Sequence, residues 1–274
     1  MHRRRNFLPL FSTIYSVAHK AKLLQRSRFR RVFVSCYFLY KRIYEDPLSG
    51  LIDRKPELFE TGDILDIGAN IGYTSCLFAR ALKTESKVYS FEPDGFNFDL
   101  LKEVIRQRKL SGRVVPINMA VGTSDGRIEF WHNERHHGDH RVVTGHFKNS
   151  RPDPNRTSTV PVICVDTFVK SRHLHQISFI KIDVQGYDLA VCEGMKETLL
   201  AFPDATVCVE YDPKALLELG FEPVRLLEFF RTRGYLIHIL SGPKIKLARD
   251  DATVHQFAEA EDYVDLLCSR RQLE

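Results

Sequence analysis

Ile64-Leu65-Asp66-Ile67-Gly68-Ala69-Asn70-Ile71-Gly72 reads as a buried parallel strand that turns sharply through Gly68 and Gly72 into a helix beginning near Tyr73. Glycine at such a turn lets the backbone double back tightly and approach a ligand closely. Further on, Lys87-Val88-Tyr89-Ser90-Phe91-Glu92 reads as a second apolar strand ending, twenty positions past Gly72, in a carboxylate. An acid at that distance from a glycine turn is placed to accept hydrogen bonds from both hydroxyls of a ribose. The pair points to a site for a nucleoside-containing cofactor, against the plainer reading of a strand-turn-helix with no ligand.

The turn departs from the dinucleotide fingerprint, because Asn70 stands where the second glycine would be and Asp66 lies just upstream. A carboxylate beside a phosphate seat repels an anion, but it suits a cofactor carrying an ammonium and a sulfonium. The turn resembles motif I of class I S-adenosylmethionine methyltransferases. A third stretch, Phe179-Ile180-Lys181-Ile182-Asp183-Val184-Gln185-Gly186-Tyr187-Asp188-Leu189-Ala190-Val191-Cys192-Glu193-Gly194, reads as a strand with Asp183 at its tip, a glycine turn and a new helix. With Phe91-Glu92-Pro93-Asp94, these motifs make residues 51–235 similar to the FkbM-type methyltransferase family. The resemblance implies a seven-stranded, mostly parallel Rossmann-like α/β sheet with helices on both faces. It also implies S-adenosylmethionine as donor and, most often, O-methylation of a sugar or other small-molecule hydroxyl. On this chain it assigns Asp66, Gly68, Asn70 and Gly72 to the methionine portion, Glu92 to the ribose, and Asn118 to Ala120 to the adenine end. The acceptor stays open.

The 274-residue chain carries a net charge of +5 that hides an asymmetry. Residues 1–44 hold eleven Lys or Arg and no acid, so the remainder holds 29 basic against 35 acidic residues. We therefore divide the chain into a basic helical extension, residues 1–50, and a catalytic domain, residues 51–274. Phe7, Leu10, Phe11, Ile14, Val17 and Ala18 recur at helical spacing between basic flanks, the pattern of an interfacial helix. The competing readings are a helix packed on the body or on a partner, a cleaved targeting segment, and a nucleic-acid contact, although no nucleic-acid-reading module is recognisable. The apolar runs 7–18 and 32–40 fall short of the roughly 20 residues that span a bilayer. Six scattered cysteines favour reduced thiols. These features lead us to expect a cytoplasmic protein, with peripheral attachment to the inner face of an anionic membrane as an option.

From Leu51 strand and helix patterns alternate, as a parallel sheet covered on both faces requires. Strands are expected at 64–67, 87–91, 114–118, 179–183, 206–210, 235–240 and 263–268, with helices at 73–82 and 97–109 and one opened by Pro223 and closed by Gly234. The alternation breaks where Arg127 to Trp131 and Thr159 to Val165 bracket a polar insertion, residues 132–158. Four of the eleven histidines crowd into residues 132–140. Methyl transfer to a hydroxyl needs in-line alignment and removal of a proton, by a general base or with the help of a divalent ion. His136, His137, His140 and Asp183 are the candidate catalytic groups, and Asp183, Glu210 and Asp212, all at strand tips, the candidate metal ligands. Solvated loop, turn-orienting and helix-capping roles compete with these. Trp131 is a candidate for sugar stacking or core filling. Other acceptor classes (carboxylate, amine or peptide), a nicotinamide-dependent dehydrogenase and a non-catalytic adapter remain as alternatives.

Overall fold

The computed structural model describes residues 27–133, 140–149, 153–242 and 244–273. An eight-stranded sheet runs through the centre, built from β1 (Asp63–Ile67), β2 (Val88–Phe91), β3 (Val114–Ile117), β8 (Ile177–Ile182), β9 (Thr206–Tyr211), β10 (Leu236–Ser241), β11 (Lys244–Leu247) and β12 (Val264–Ser269). Their order is β11-β10-β12-β9-β8-β1-β2-β3. Strands β3, β2, β1, β8 and β9 are mutually parallel, and β12 enters antiparallel between β9 and β10. The seven expected strands are all present. The eighth, β11, is a short hairpin partner at the edge, and its alternating Lys-Ile-Lys-Leu is too brief to stand out in the sequence.

Helices cover both faces: α2 (Leu48–Arg54), α3 (Tyr73–Ala81) and α4 (Gly95–Gln107), then α5 (Val165–Arg172), α6 (Asp188–Glu193), α7 (Lys196–Ala201), α8 (Pro213–Glu218), α9 (Pro223–Arg231) and α10 (Asp251–Glu261). Central strands are apolar on both sides because both sides are covered. Phe59, Phe78 and Phe179, all fully buried, cluster with centroids 4.5–5.7 Å apart beneath α3. On the other face Leu226, Leu227, Phe229 and Phe230 of α9 fill the core.

The polar insertion is framed by a second sheet of order β4-β7-β5-β6, from β4 (Ala120–Val121), β5 (Gly126–Trp131), β6 (Arg141–Val142) and β7 (Thr157–Ile163). Trp131 is buried against Phe147 and donates its Nε1–H to Asp153 O at 2.9 Å, which makes it a core residue.

The N-terminal extension is no loose appendage where it is described. Helix α1 (Ser27–Tyr40), continued by a π-helical turn over Lys41–Glu45, buries Phe33, Val34 and Phe38 against α3 and α4. Arg108 stacks on the Phe38 ring at 4.0 Å, Arg30 pairs with Glu103 at 2.5 Å, and the Tyr73 hydroxyl donates to Asp46 at 2.6 Å. The boundary we expected at residue 50 therefore cuts through packed structure. The apolar run 7–18 lies outside the described residues. Among the described residues, no helix is long and apolar enough to cross a membrane.

Candidate functional site

The turn after β1 is fixed by hydrogen bonds across the sheet. Gly68 and Ala69 N–H both donate to Phe91 O, at 3.1 and 2.9 Å, so the turn is held against the end of β2. Gly68 (φ +79°) and Asn70 (φ +50°) adopt the left-handed region, which asparagine tolerates better than most side chains. Asn70 N–H then donates to Glu92 Oε2 at 2.8 Å, and Asp94 N–H to Glu92 Oε1 at 2.9 Å. Both carboxylate oxygens are thus pinned, and Glu92 borders a cavity of about 320 Å³ while only 5% exposed. Burial, with a smaller push from the Asp94 charge, raises its pKa to about 8.

Asp66 does not face this cavity, contrary to its expected contact with the methionine portion. It is fully buried below the turn, where it accepts hydrogen bonds from the Thr74 hydroxyl at 2.8 Å and the Ser75 hydroxyl at 2.6 Å. It positions the start of α3, and burial raises its pKa. Gly72 caps α3 in a left-handed conformation and is likewise outside the lining. Asn118 acts indirectly: its side-chain amide donates to Glu92 O at 2.8 Å and Pro93 O at 3.1 Å, and the cavity is lined instead by Met119, Ala120 and Val121.

At the other end of the cavity stand four carboxyl groups of the sheet's carboxyl edge: Asp183, Glu210, Asp212 and Asp265. Asp183 and Glu210 directly follow the paired residues Ile182 and Val209, and Asp265 pairs with Glu210 across the antiparallel β9–β12 ladder. Beneath them the Lys181 ammonium lies 3.1 Å from Asp183 and 3.8 Å from Asp66, and donates to Gly68 O at 3.2 Å. Burial works against its charge, yet Asp183 and Asp66 hold its pKa above the ordinary value. Burial also opposes ionisation of Asp183, but Lys181 and then Lys41 outweigh it and keep that carboxyl below the usual range. Glu210 goes the opposite way, pushed well up by burial and by Asp183, Asp188, Asp265 and Asp212.

The expected metal ligands Asp183, Glu210 and Asp212 line the cavity, but each has other surroundings in this structure. Asp183 is engaged by Lys181 and Gln185, Asp212 Oδ1 caps α8 through Lys214 and Ala215 N–H, and Glu210 lies among acids that, with burial, push its pKa up. Among the described residues, no group of three His, Cys, Asp or Glu side chains could hold a metal ion.

His140 borders the cavity together with Phe130 and Val142, near Asp94 and not at the strand-tip carboxylates. Its Nδ1 accepts Asn133 N–H at 2.9 Å, and its Nε2 is 3.8 Å from Asp94. His132, 2.9 Å from the same carboxylate, bridges to Ser158 at 2.7 Å. Burial pushes the Asp94 carboxyl up, but His132, His140 and the Asn97 N–H hold it at about 2. Candidates His136 and His137 lie outside the described residues. Sequence reasoning passed over Lys181, Asp265 and the wall made by Phe33, Tyr37, Tyr40 and Lys41. Lysine inside an apolar strand was the available signal for Lys181.

A mostly parallel sheet of this order, with a cavity across its carboxyl edge, is the Rossmann-like fold of class I methyltransferases. The chain belongs to the FkbM methyltransferase family, whose methyltransferase FkbM domain matches residues 66–237. It is 29% identical over 164 residues to the hexuronic acid methyltransferase AglP of Haloferax volcanii, an alignment covering 58% of this chain and 62% of that protein. The crystal structure of a methyltransferase FkbM from Methylobacillus flagellatus shares the fold, with a TM-score of 0.50 and 17% identity over 96% of this chain and 58% of that one. The chain thus spans less than two thirds of either relative's length.

Proposed function

We propose that the protein is an S-adenosylmethionine-dependent O-methyltransferase acting on a hydroxyl of a sugar, a glycan or a related small molecule. The observation that carries this reading is one continuous cavity, bordered at one end by the pinned carboxylate of Glu92 and at the other by Asp183, Glu210 and Asp265. The donor set fits the cofactor: Glu92 for ribose hydroxyls, apolar Met119, Ala120, Phe130 and Val142 for an adenine, and the turn at Gly68 for the methionine portion. The family supports methyl transfer, and the hexuronic acid methyltransferase similar to this chain supports a sugar-like acceptor.

Bound S-adenosylmethionine supplies an electrophilic methyl group, so the chain's task is to align an oxygen, exclude water and receive a proton. Carboxyl groups driven to opposite protonation states mark acid and base roles. Asp183, kept ionised by Lys181 and Lys41, takes the acceptor proton; Glu210, kept protonated, donates a hydrogen bond that orients the acceptor. Asp183 is a weak base, but the hydroxyl proton becomes strongly acidic as the new O–C bond forms. Tyr37, Tyr40 and Lys41 wall this end.

Asp183→Asn is expected to lower kcat by roughly 10²–10⁴ with the cofactor Kd near wild type. His140→Ala should do the reverse, weakening the cofactor with little effect on kcat. Methyl transfer to a panel of hexuronate-containing and neutral glycans, with calorimetry on each variant, measures both. Wild-type turnover by Asp183→Asn would move the base to His136 or His137.

Glu92 gives cofactor binding a pH signature. Ribose hydroxyls donate to the ionised form, while the free protein holds the proton up to a pKa of about 8. Binding therefore expels a proton, and affinity should rise from about pH 6 to about pH 8 and then level. Glu92→Gln should flatten that profile and cost about 1.5–3 kcal/mol. Calorimetry in two buffers of different ionisation enthalpy tests it; a pH-independent affinity would refute the role.

A further inference from the structure

We propose that the outward face of α1 is a docking surface for an anionic lipid bilayer. The helix has two apolar faces. The inward one, Phe33, Val34 and Phe38, is buried against the body. The outward one carries Phe29, Val32, Leu39 and, on the following turn, Ile43, each 50–62% exposed, with exposed Cys36 between them. Positions 29, 32, 36, 39 and 43 repeat at intervals of three and four, which puts them on one stripe. These four make up half of the eight large apolar side chains exposed among the described residues. Such a concentration on one short helix calls for an occupant.

Charge identifies the occupant. Exposed Arg31 and Arg42 fall along one edge of the stripe, and residues 1–44 contain eleven basic side chains and no acid. An apolar stripe beside a one-sided basic edge matches an anionic headgroup layer over acyl chains. The same three-four spacing would also suit a seam with a second copy. That seam would be little more than two heptads long, and in a symmetric pair its Arg31 and Arg42 edge would meet a like-charged edge. The helix also presents Phe33, Tyr37 and Tyr40 to the cavity. A bilayer on its outer face therefore lies about 10 Å, one helix diameter, from the cavity wall. The docking face stands independently of the chemistry assigned to the cavity.

The test is co-sedimentation of the full chain with vesicles of phosphatidylglycerol and phosphatidylcholine, or of phosphatidylcholine alone, at low and high salt. The two variants are Val32→Asp/Leu39→Asp and Arg31→Glu/Arg42→Glu, each at exposed positions, with thermal melts as the fold control. We expect binding to anionic vesicles that drops tenfold or more on neutral ones, in high salt, and in either variant. Three results would overturn the proposal. One is wild-type protein that ignores anionic vesicles. Another is variants that bind as wild type does, which would assign attachment to another part of the chain. The third is a dimer in sedimentation equilibrium that Val32→Asp/Leu39→Asp dissolves while vesicle binding is absent.

Discussion

Gly68→Ala should abolish cofactor binding and destabilise the fold by about 2–5 kcal/mol, combining overpacking with left-handed strain. A Cβ at this position, where φ is +79°, would fall 1.8 Å from the carbonyl oxygen of Asp183 and 2.9 Å from its carbonyl carbon. That carbonyl has nowhere to go, because Asp183 N–H bonds Ile67 O at 3.1 Å and Ile67 pairs with Ile182 in the parallel ladder. Any relief must pry β1 from β8 at the point where both strand tips meet the cavity. Gly72 is the internal control. Its φ of +88° brings the same left-handed strain, but its one close contact would be the Cδ1 tip of Leu101, at 2.5 Å, and a leucine tip can rotate aside. Gly72→Ala should therefore be milder. Urea melts and calorimetric titration of both variants measure the contrast; a Gly68→Ala protein that melts and binds like wild type would show that β1 and β8 are not this close.

Lys181→Met should cost about 3–5 kcal/mol at neutral pH, the range for removing one partner of a buried ion pair. It leaves Asp66, fully buried, and Asp183 facing each other with no cation between them and deletes the hydrogen bond to Gly68 O. The pH dependence follows from the shifts. Lys181 has a raised pKa, so its contribution is complete below its unfolded value of about 10.5 and is lost as pH rises through the higher folded value. Asp183 has a lowered pKa, so its contribution is present above about 3.8 and disappears as pH falls through the folded value. At neutral pH both are in force. In the variant the stranded carboxylates can be neutralised by protons, so the stability gap to wild type should narrow from about pH 7 to about pH 4. Denaturant titrations across that range would refute the pairing if the gap stayed constant. Lys181→Arg, which keeps the charge, should recover part of the loss.

The parts of the site that sequence made legible are the local ones. Gly68, Asn70 and Glu92 announce themselves because a strand, a turn and an acid about 20 residues on are contiguous signals, and the structure joins them through the Asn70 N–H. What the sequence hid depends on partners far along the chain. Asp66 looks like a ligand contact until Thr74 and Ser75 are seen to enclose it. Asp265 is an unremarked acid in the last strand until antiparallel pairing puts it beside Glu210. His140 reads as a candidate base because it stands in a histidine-rich insertion. The β5–β6 pairing that sets it beside Asp94 joins segments the sequence does not show to be neighbours. The basic charge of the N-terminus was plain, but its role as a cavity wall required knowing that Phe33 and Phe38 pack on the body.

The family match begins at residue 66, whereas α1 and its continuation lie wholly upstream of it. The turn that ends β1 and the acid that ends β2 are locked into the sheet. By contrast, the surface opposite the strand-tip carboxylates is made by a preceding segment that shares no strand with them. Replacing or shortening that segment would therefore rewrite one wall of the chamber without touching the sheet that carries the turn and the acids. Chimaeras that exchange residues upstream of 48 between family members would show directly whether acceptor preference travels with the segment.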